Sequence, residues 1–220
     1  MKKALMLTLA LCGVFPLSQA QDLKGNAAAG QKLNAQCIGC HGIAGYQASF
    51  PEVHHVPMIS GQSAKYIAAS LNAYKKGERK QGTMRAVAGS LSEQDIADLA
   101  AYYAQHGQVA GEPAAAPGAV APPSPEVAAL LAKGACASCH GANFNKPIDG
   151  SYPKIGGQHA DYLYVALKSY KTEGNAYVGR GNAIMAGQVK QFSLKELKLL
   201  ASYIGSLPPE VQTIAQSKFR

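Results

Sequence analysis

The sequence has no cysteine to spare for a disulfide. Of its five cysteines, Cys12 lies in the apolar opening stretch and the other four form two close pairs, Cys37 with Cys40 and Cys136 with Cys139. Long apolar runs are equally scarce. Only Ala4 to Leu17 approaches one, and it is short for a membrane-spanning helix, which needs about 20 apolar residues. Lys2 and Lys3 precede it and Ser18-Gln19-Ala20 follows as a small-residue cleavage site, so 1–20 reads as a secretory signal peptide. Leu11 stands where a lipidated cysteine would have a small residue before it, so Cys12 is discarded with the peptide. Nothing later in the chain is apolar enough to cross a bilayer. The remaining 200 of 220 residues suit two domains of about 100 residues each.

Acidic residues are also in the minority, 13 against 21 Lys and Arg, and the formal charge is +8. It falls to +6 (8 − 2) once Lys2 and Lys3 leave. An exported chain of this modest charge is a poor candidate for nucleic-acid binding.

What the chain does hold is Cys37-Ile38-Gly39-Cys40-His41 and, 99 residues on, Cys136-Ala137-Ser138-Cys139-His140. C-x-x-C-H is the attachment signature of a c-type haem. Two thiols at this spacing reach the two vinyl groups on one porphyrin edge, and the histidine that follows lies beneath the iron as its proximal ligand. Glycine comes next in both copies, Gly42 and Gly141, where a side chain would crowd the ring. The alternatives are a structural zinc site or a thiol redox pair. Zinc draws its ligands from paired clusters within one small domain. These motifs lie far apart, and each has its own copy of the same downstream pattern.

That pattern is a tandem repeat. Asp22 to Gln36 reads as a short helix entering the first motif, with Gly30 in its small-residue face where the second copy has Ala129. Residues 46–60 read as irregular, broken by Pro51 and Pro57. A helix follows from Ser63, with Tyr66, Ile67, Ser70, Leu71 and Tyr74 on one face. Another starts at Ser92 with a capping-box Asp95 and a stripe of Ile96, Leu99, Ala100 and Tyr103. Residues 107–125, rich in Gly, Ala and Pro, form an extended linker. The second copy repeats this from about Glu126 and closes on Ser193, Glu196, Leu197, Leu200, Ala201 and Ile204, leaving a peripheral tail to Arg220. Pro57, Gly61, Gln62, Tyr66, Leu71 and Tyr74 recur 96 residues later; Met84, Ser92 and Tyr102 recur at an offset of 101. His106 and His159 read as surface residues at helix ends.

The C-x-x-C-H-G motif, the P-x-x-x-G-Q-x-x-x-Y segment, the basic run, the methionine seven residues before an apolar-Ser pair and the closing helix are shared by both halves. Each half resembles a class I cytochrome c domain, and the tandem resembles the dihaem cytochrome c4 family of bacteria. The resemblance implies an all-α fold of two cytochrome c domains, 21–106 and 126–220, in which the first and last helices cross. It implies two covalently bound haem c groups, held through Cys37, Cys40, Cys136 and Cys139. It further implies a periplasmic electron carrier, not an enzyme, whose domains face each other through their haem-propionate edges. It places proline carbonyls, Pro57 and Pro153, as acceptors for the proximal His41 and His140.

The sixth ligand decides whether an iron binds substrate or only passes electrons. Past the expected peptide the methionines are Met58, Met84 and Met185; Met58 aligns with Lys154 whereas Met84 aligns with Met185. A shared architecture needs a shared ligand, which selects Met84 and Met185, against the reading that both are ordinary core methionines. His54 and His55 are the rivals at the first haem, or else an exposed polar spot. Tyr66, Tyr74, Tyr162 and Tyr170 are expected around the haems.

The expected partners are redox proteins: a terminal oxidase, a bc1-type reductase or a periplasmic dehydrogenase. The alternatives are a cytochrome subunit of such a dehydrogenase and a dihaem peroxidase, which would need an open haem and a catalytic acid–base pair. The run Lys75-Lys76-Gly77-Glu78-Arg79-Lys80, with Arg85, is the expected docking face for an acidic partner; Lys168, Lys171 and Arg180 form its sparser counterpart.

Overall fold

The computed structural model describes residues 23–107 and 121–215. The expected signal peptide, most of the expected linker and the last five residues lie outside them. The first half runs α1 (Ala27–Leu33), α2 (Ala35–His41), β1 (Gln47–Ala48), β2 (His54–His55), α3 (Ala64–Lys75), α4 (Gly82–Gly89) and α5 (Glu93–Gln105). The second runs α6 (Pro125–Lys133), α7 (Ala137–His140), α8 (Ala160–Lys171), α9 (Ala183–Lys190) and α10 (Leu194–Gly205). The architecture is all-α apart from one short antiparallel ladder, which pairs Gln47 with His55 and Ala48 with His54.

The closing helices start where their sequences say they should. Ser92 and Asp95 cap α5 reciprocally, as Ser193 and Glu196 cap α10. The stripes Ile96, Leu99, Ala100, Tyr103 and Leu197, Leu200, Ala201, Ile204 are all buried. Each large member of those stripes contributes about 1.5–3 kcal/mol by leaving water. The opening helix packs on this stripe because Gly30 has no side chain. A Cβ there would sit 2.1 Å from the Asp98 carbonyl oxygen of α5. Asp98 in turn accepts the Asn26 N–H at 2.7 Å, while the Asn26 side chain caps α1. The expected single helix into the first motif is broken at buried Asn34, where α1 ends and α2 begins.

Glycine after each C-x-x-C-H is required by the chain itself. Gly141 has φ +81°, and a Cβ there would meet the Lys146 carbonyl oxygen at 2.2 Å; at Gly42 it would meet the Ile38 carbonyl at 2.8 Å. The protein backbone alone already leaves a side chain no room there.

The two halves are bound together by named contacts. Gln62 Nε2 donates to the Lys154 carbonyl at 2.9 Å, and its Oε1 accepts the Lys154 N–H at 3.0 Å. Gln158 does the same to Met58, at 2.9 and 3.0 Å. The tail expected at the periphery instead returns to the first half. Gln212 pairs with Ser60 in an antiparallel bridge, Val211 is fully buried, and Ile214 lies against Gly107.

Candidate haem sites

α2 and the loop behind it bring Cys37, Cys40 and His41 onto a cavity of about 430 Å³, which Met58, Met84, Tyr66, Tyr74 and Tyr103 also line. It continues across the junction to Pro153, Gln158, Tyr162 and Arg180 of the second half. His41 Nδ1 lies 2.8 Å from the Pro57 carbonyl oxygen, and His140 Nδ1 lies 3.0 Å from that of Pro153. A carbonyl can only accept, so both Nδ1 atoms carry the proton and both Nε2 atoms present a lone pair. Burial pushes both imidazoles below their ordinary pKa, and the bonds to proline only partly offset it. Neutral imidazole is the form that binds a metal.

The four cysteines carry no disulfide. Burial raises the Cys37 and Cys136 thiols above their ordinary range. Among the described residues no group of three or more His, Cys, Asp or Glu is arranged to hold a metal ion by itself.

Met84 and Met185 occupy the third residue of α4 and α9, two helices whose weak caps the sequence did not flag. Gln81 Oε1 accepts the Met84 N–H at 2.7 Å, and Asn182 Oδ1 accepts the Met185 N–H at 2.9 Å. Met84 faces the cavity of the first half. Met185 packs on the second half's core of Leu130, Val189, Phe192, Leu197 and Leu200. Met58 shares the first cavity, but its own backbone is committed to Gln158.

The histidines expected at the surface have partners. His54 is 6% exposed and bonds to the Glu52 carbonyl through Nδ1. His55 Nδ1 lies 2.7 Å from Asp161 Oδ2, and the His55 N–H donates to the same oxygen. His159 stacks on His55 across the junction, and His106 bonds Ser60 and stacks on Tyr102. Sequence spacing could not reveal the His55–Asp161, His159–His55 and His106–Ser60 contacts, which join residues about 50–100 positions apart.

Several of the expected docking cations have partners within the protein, while Lys76 and Arg85 stay exposed. Lys75 Nζ donates to the Leu91 carbonyl, and Lys80 Nζ donates to the Asn175 carbonyl of the other half. Arg79 and Arg180 form an antiparallel bridge between the halves. Their guanidiniums donate to Tyr66 and Tyr162 hydroxyls at 3.1 and 3.0 Å and lie over Tyr66, Tyr74, Tyr162 and Tyr170. Lys168 pairs with Glu52, and Lys171 caps the carbonyls of Val189, Lys190 and Phe192. The run thus begins as the exposed end of α3 at Lys75 and Lys76 and turns into the junction at Arg79 and Lys80.

Among the described residues, neither Arg79 nor Arg180 has a carboxylate partner. Two cations at the mouth of one cavity call for anions. Haem fits: its propionates would meet the arginines and tyrosines, and its vinyl edge the cysteine pair.

The cytochrome c family profile matches residues 27–106 and 126–208. Cytochrome c4 of Azotobacter vinelandii is 33% identical over 94% of this chain and 100% of its own length. This chain belongs to the cytochrome c4 family. Cytochrome c4 of Pseudomonas aeruginosa is 32% identical over 93% of the chain and 96% of its own. The crystal structure of reduced cytochrome c4 from Pseudomonas stutzeri superposes with a TM-score of 0.61 at 31% identity, covering 83% of this chain and 99% of that one. As a cytochrome c4 the protein carries two covalently bound haem c groups and belongs with the electron-transfer proteins. A thiosulfate dehydrogenase electron acceptor of Thiomonas intermedia is 32% identical over 62% of this chain and 63% of its own. No helix among the described residues is long and apolar enough to cross a membrane.

Proposed function

We propose that this cytochrome c4 is a periplasmic carrier that passes electrons between respiratory partners, with one His/Met-ligated haem in each of the domains 21–106 and 126–220. In this reading Cys37, Cys40, Cys136 and Cys139 form the thioethers. His41 and Met84 ligate the first iron, His140 and Met185 the second, and Pro57 and Pro153 orient the histidines. The observation that carries it is the matched pair of methionines, each at the third residue of a capped helix in its own half. Two closed irons leave no seat for a substrate, which disfavours the peroxidase alternative. When bound, each haem supplies an iron that takes up and releases one electron.

The chain's own residues do the rest. Proline carbonyls hold the imidazoles in one tautomer, the junction arginines receive negative charge, and the apolar stripes exclude water. A near-infrared spectrum with redox titration tests the reading: two methionine–iron charge-transfer bands and two one-electron waves are expected. A single band, or peroxide turnover by the reduced protein, would contradict it.

The relatives named as thiosulfate dehydrogenase electron acceptors support a second reading, in which the partner is a periplasmic dehydrogenase. Co-purification from the native host distinguishes the two, because a standing subunit stays with its dehydrogenase whereas a free carrier does not.

A further inference from the structure

Each proximal histidine is held by a peptide group that the opposite half also holds. The Pro57 carbonyl and the Met58 N–H belong to one peptide unit. Its carbonyl accepts from His41 Nδ1 at 2.8 Å, and its N–H donates to Gln158 Oε1 at 3.0 Å. The second half repeats this crosswise. The Pro153–Lys154 peptide accepts from His140 Nδ1 at 3.0 Å and donates to Gln62 Oε1 at 3.0 Å. Both glutamines are 4% exposed. Each is pinned by its Nε2, which donates to the next carbonyl, Met58 for Gln158 and Lys154 for Gln62.

We propose that Gln158 sets the donor strength of His41, and Gln62 that of His140, so that each domain tunes the redox potential of the haem carried by the other. The inference rests on the ligation proposed above. Hydrogen bonds in series through one amide polarise one another. When the glutamine oxygen takes up the peptide N–H, electron density moves onto the proline carbonyl, which becomes a better acceptor. It then draws harder on the Nδ1 proton, and the imidazole presents more electron density at Nε2. A stronger donor favours the oxidised iron and lowers the potential. Only the electron moves; the Nδ1 proton stays on its histidine in both oxidation states.

A glutamine that merely glued the domains together would predict no crossing of the effect. The glutamines lie at equivalent repeat positions, 96 residues apart, yet each reaches the other's proximal segment. Which haem responds to which substitution therefore separates tuning from adhesion.

The test uses the full-length, haem-loaded protein, with the two potentials resolved by NMR-monitored redox titration of the haem methyl resonances. Gln158→Leu should raise the reduced-to-oxidised ratio of the first haem about threefold at fixed ambient potential, about 28 mV for a one-electron couple, and leave the second unmoved. Gln62→Leu should do the reverse. Gln158→Glu keeps an acceptor toward Met58 and adds negative charge, so it should lower the first potential; this variant carries the test where the leucine form fails to accumulate. A shift in the substituted domain's own haem, an equal shift in both, or none with both haems attached overturns the inference alone. Protein lacking covalent haem by mass overturns the ligation reading and this one with it.

Discussion

Arg79 and Arg180 meet backbone to backbone across the domain junction, two like charges brought together over the rings of Tyr66, Tyr74, Tyr162 and Tyr170. Burial pushes the Tyr66 hydroxyl up, but the two guanidiniums outweigh it and bring that group down to about 8. The arginines stay protonated, so the arrangement gains from anions at the cavity mouth. A cation near a haem favours the reduced iron. At an effective dielectric of about 20 and a separation of about 10 Å, one charge is worth about 1–2 kcal/mol. Arg180→Gln should therefore lower the second haem's potential by an amount in that range, and Arg79→Gln the first haem's. Spectroelectrochemical titration of each variant measures it.

Methionine ligation has its own discriminating pair. Met84→Ala should remove the methionine–iron band of the first haem, lower its potential and open it to carbon monoxide or cyanide. Met185→Ala should do the same in the second. Met58→Leu should leave both bands in place, although Met58 lines the same cavity as Met84. Loss of the first band in Met58→Leu would reverse the assignment.

The first half places a buried hydroxyl beside its cysteine pair where the second half has none. Gly61 N–H donates to the Tyr103 carbonyl and Gly157 N–H to that of Ile204, so Tyr103 and Ile204 are structural counterparts. Burial pushes the Tyr103 hydroxyl far up; that hydroxyl sits against Cys37 and has no hydrogen-bond partner of good geometry. With Cys37 in a thioether, the dipole of that hydroxyl beside the sulfur would favour the reduced state of the first haem, with no counterpart at Ile204 in the second half. Tyr103→Phe should lower the first potential, leave the second unchanged, and alter stability by no more than about 1 kcal/mol, since no satisfied bond is lost. Paired redox titration and denaturant unfolding measure both.

Acid should loosen the seam between β2 and α8. Burial lowers the His159 pKa below 6.5, helped by the His55 charge and opposed by Asp161. Burial raises Asp161, but hydrogen bonds from His55 and Tyr162 outweigh it and hold the carboxyl below 3.8. Both folded-state values lie below the unfolded ones, so the unfolded chain binds more protons and stability rises with pH. His159 withdraws its contribution as pH falls below about 6.5; Asp161 withdraws its own below about 3.8, through its depressed value. Denaturant midpoints should fall across both windows. His159→Gln should flatten the upper limb in part, since half-buried His106, also depressed by burial, titrates there too; Asp161→Asn should flatten the lower.

The haem motifs and the capped closing helices were legible because each rests on short spacing: C-x-x-C-H, or a serine three residues from an acid. The repeat added register, which is the ground for expecting Met84 rather than Met58 as a ligand, since both line the first cavity. What stayed hidden joins distant positions. The fate of His55 and His159, the inward turn of Arg79, Lys80 and Arg180, and the crossing of Gln62 and Gln158 all depend on how the halves meet. The tail failed for the same reason. Nothing in residues 208–215 announces a partner at Ser60, and Val211 reads as an isolated apolar residue until its burial is seen.

That returning tail makes the chain a closed loop in space. From Gly107 the covalent path leaves the first domain, passes through the second, and comes back at Gln212 to the segment that holds Ser60, with Ile214 beside the residue where it departed. A protease that nicks the connection between α5 and α6 would leave the two fragments clasped rather than free. A gene split at the same place should yield halves that find each other, whereas a further stop codon before Pro209 should weaken that pairing, leaving the glutamine and arginine contacts to hold it. Fusion and clasp are thus two separate guarantees of one partnership, and either can be removed while the other is observed.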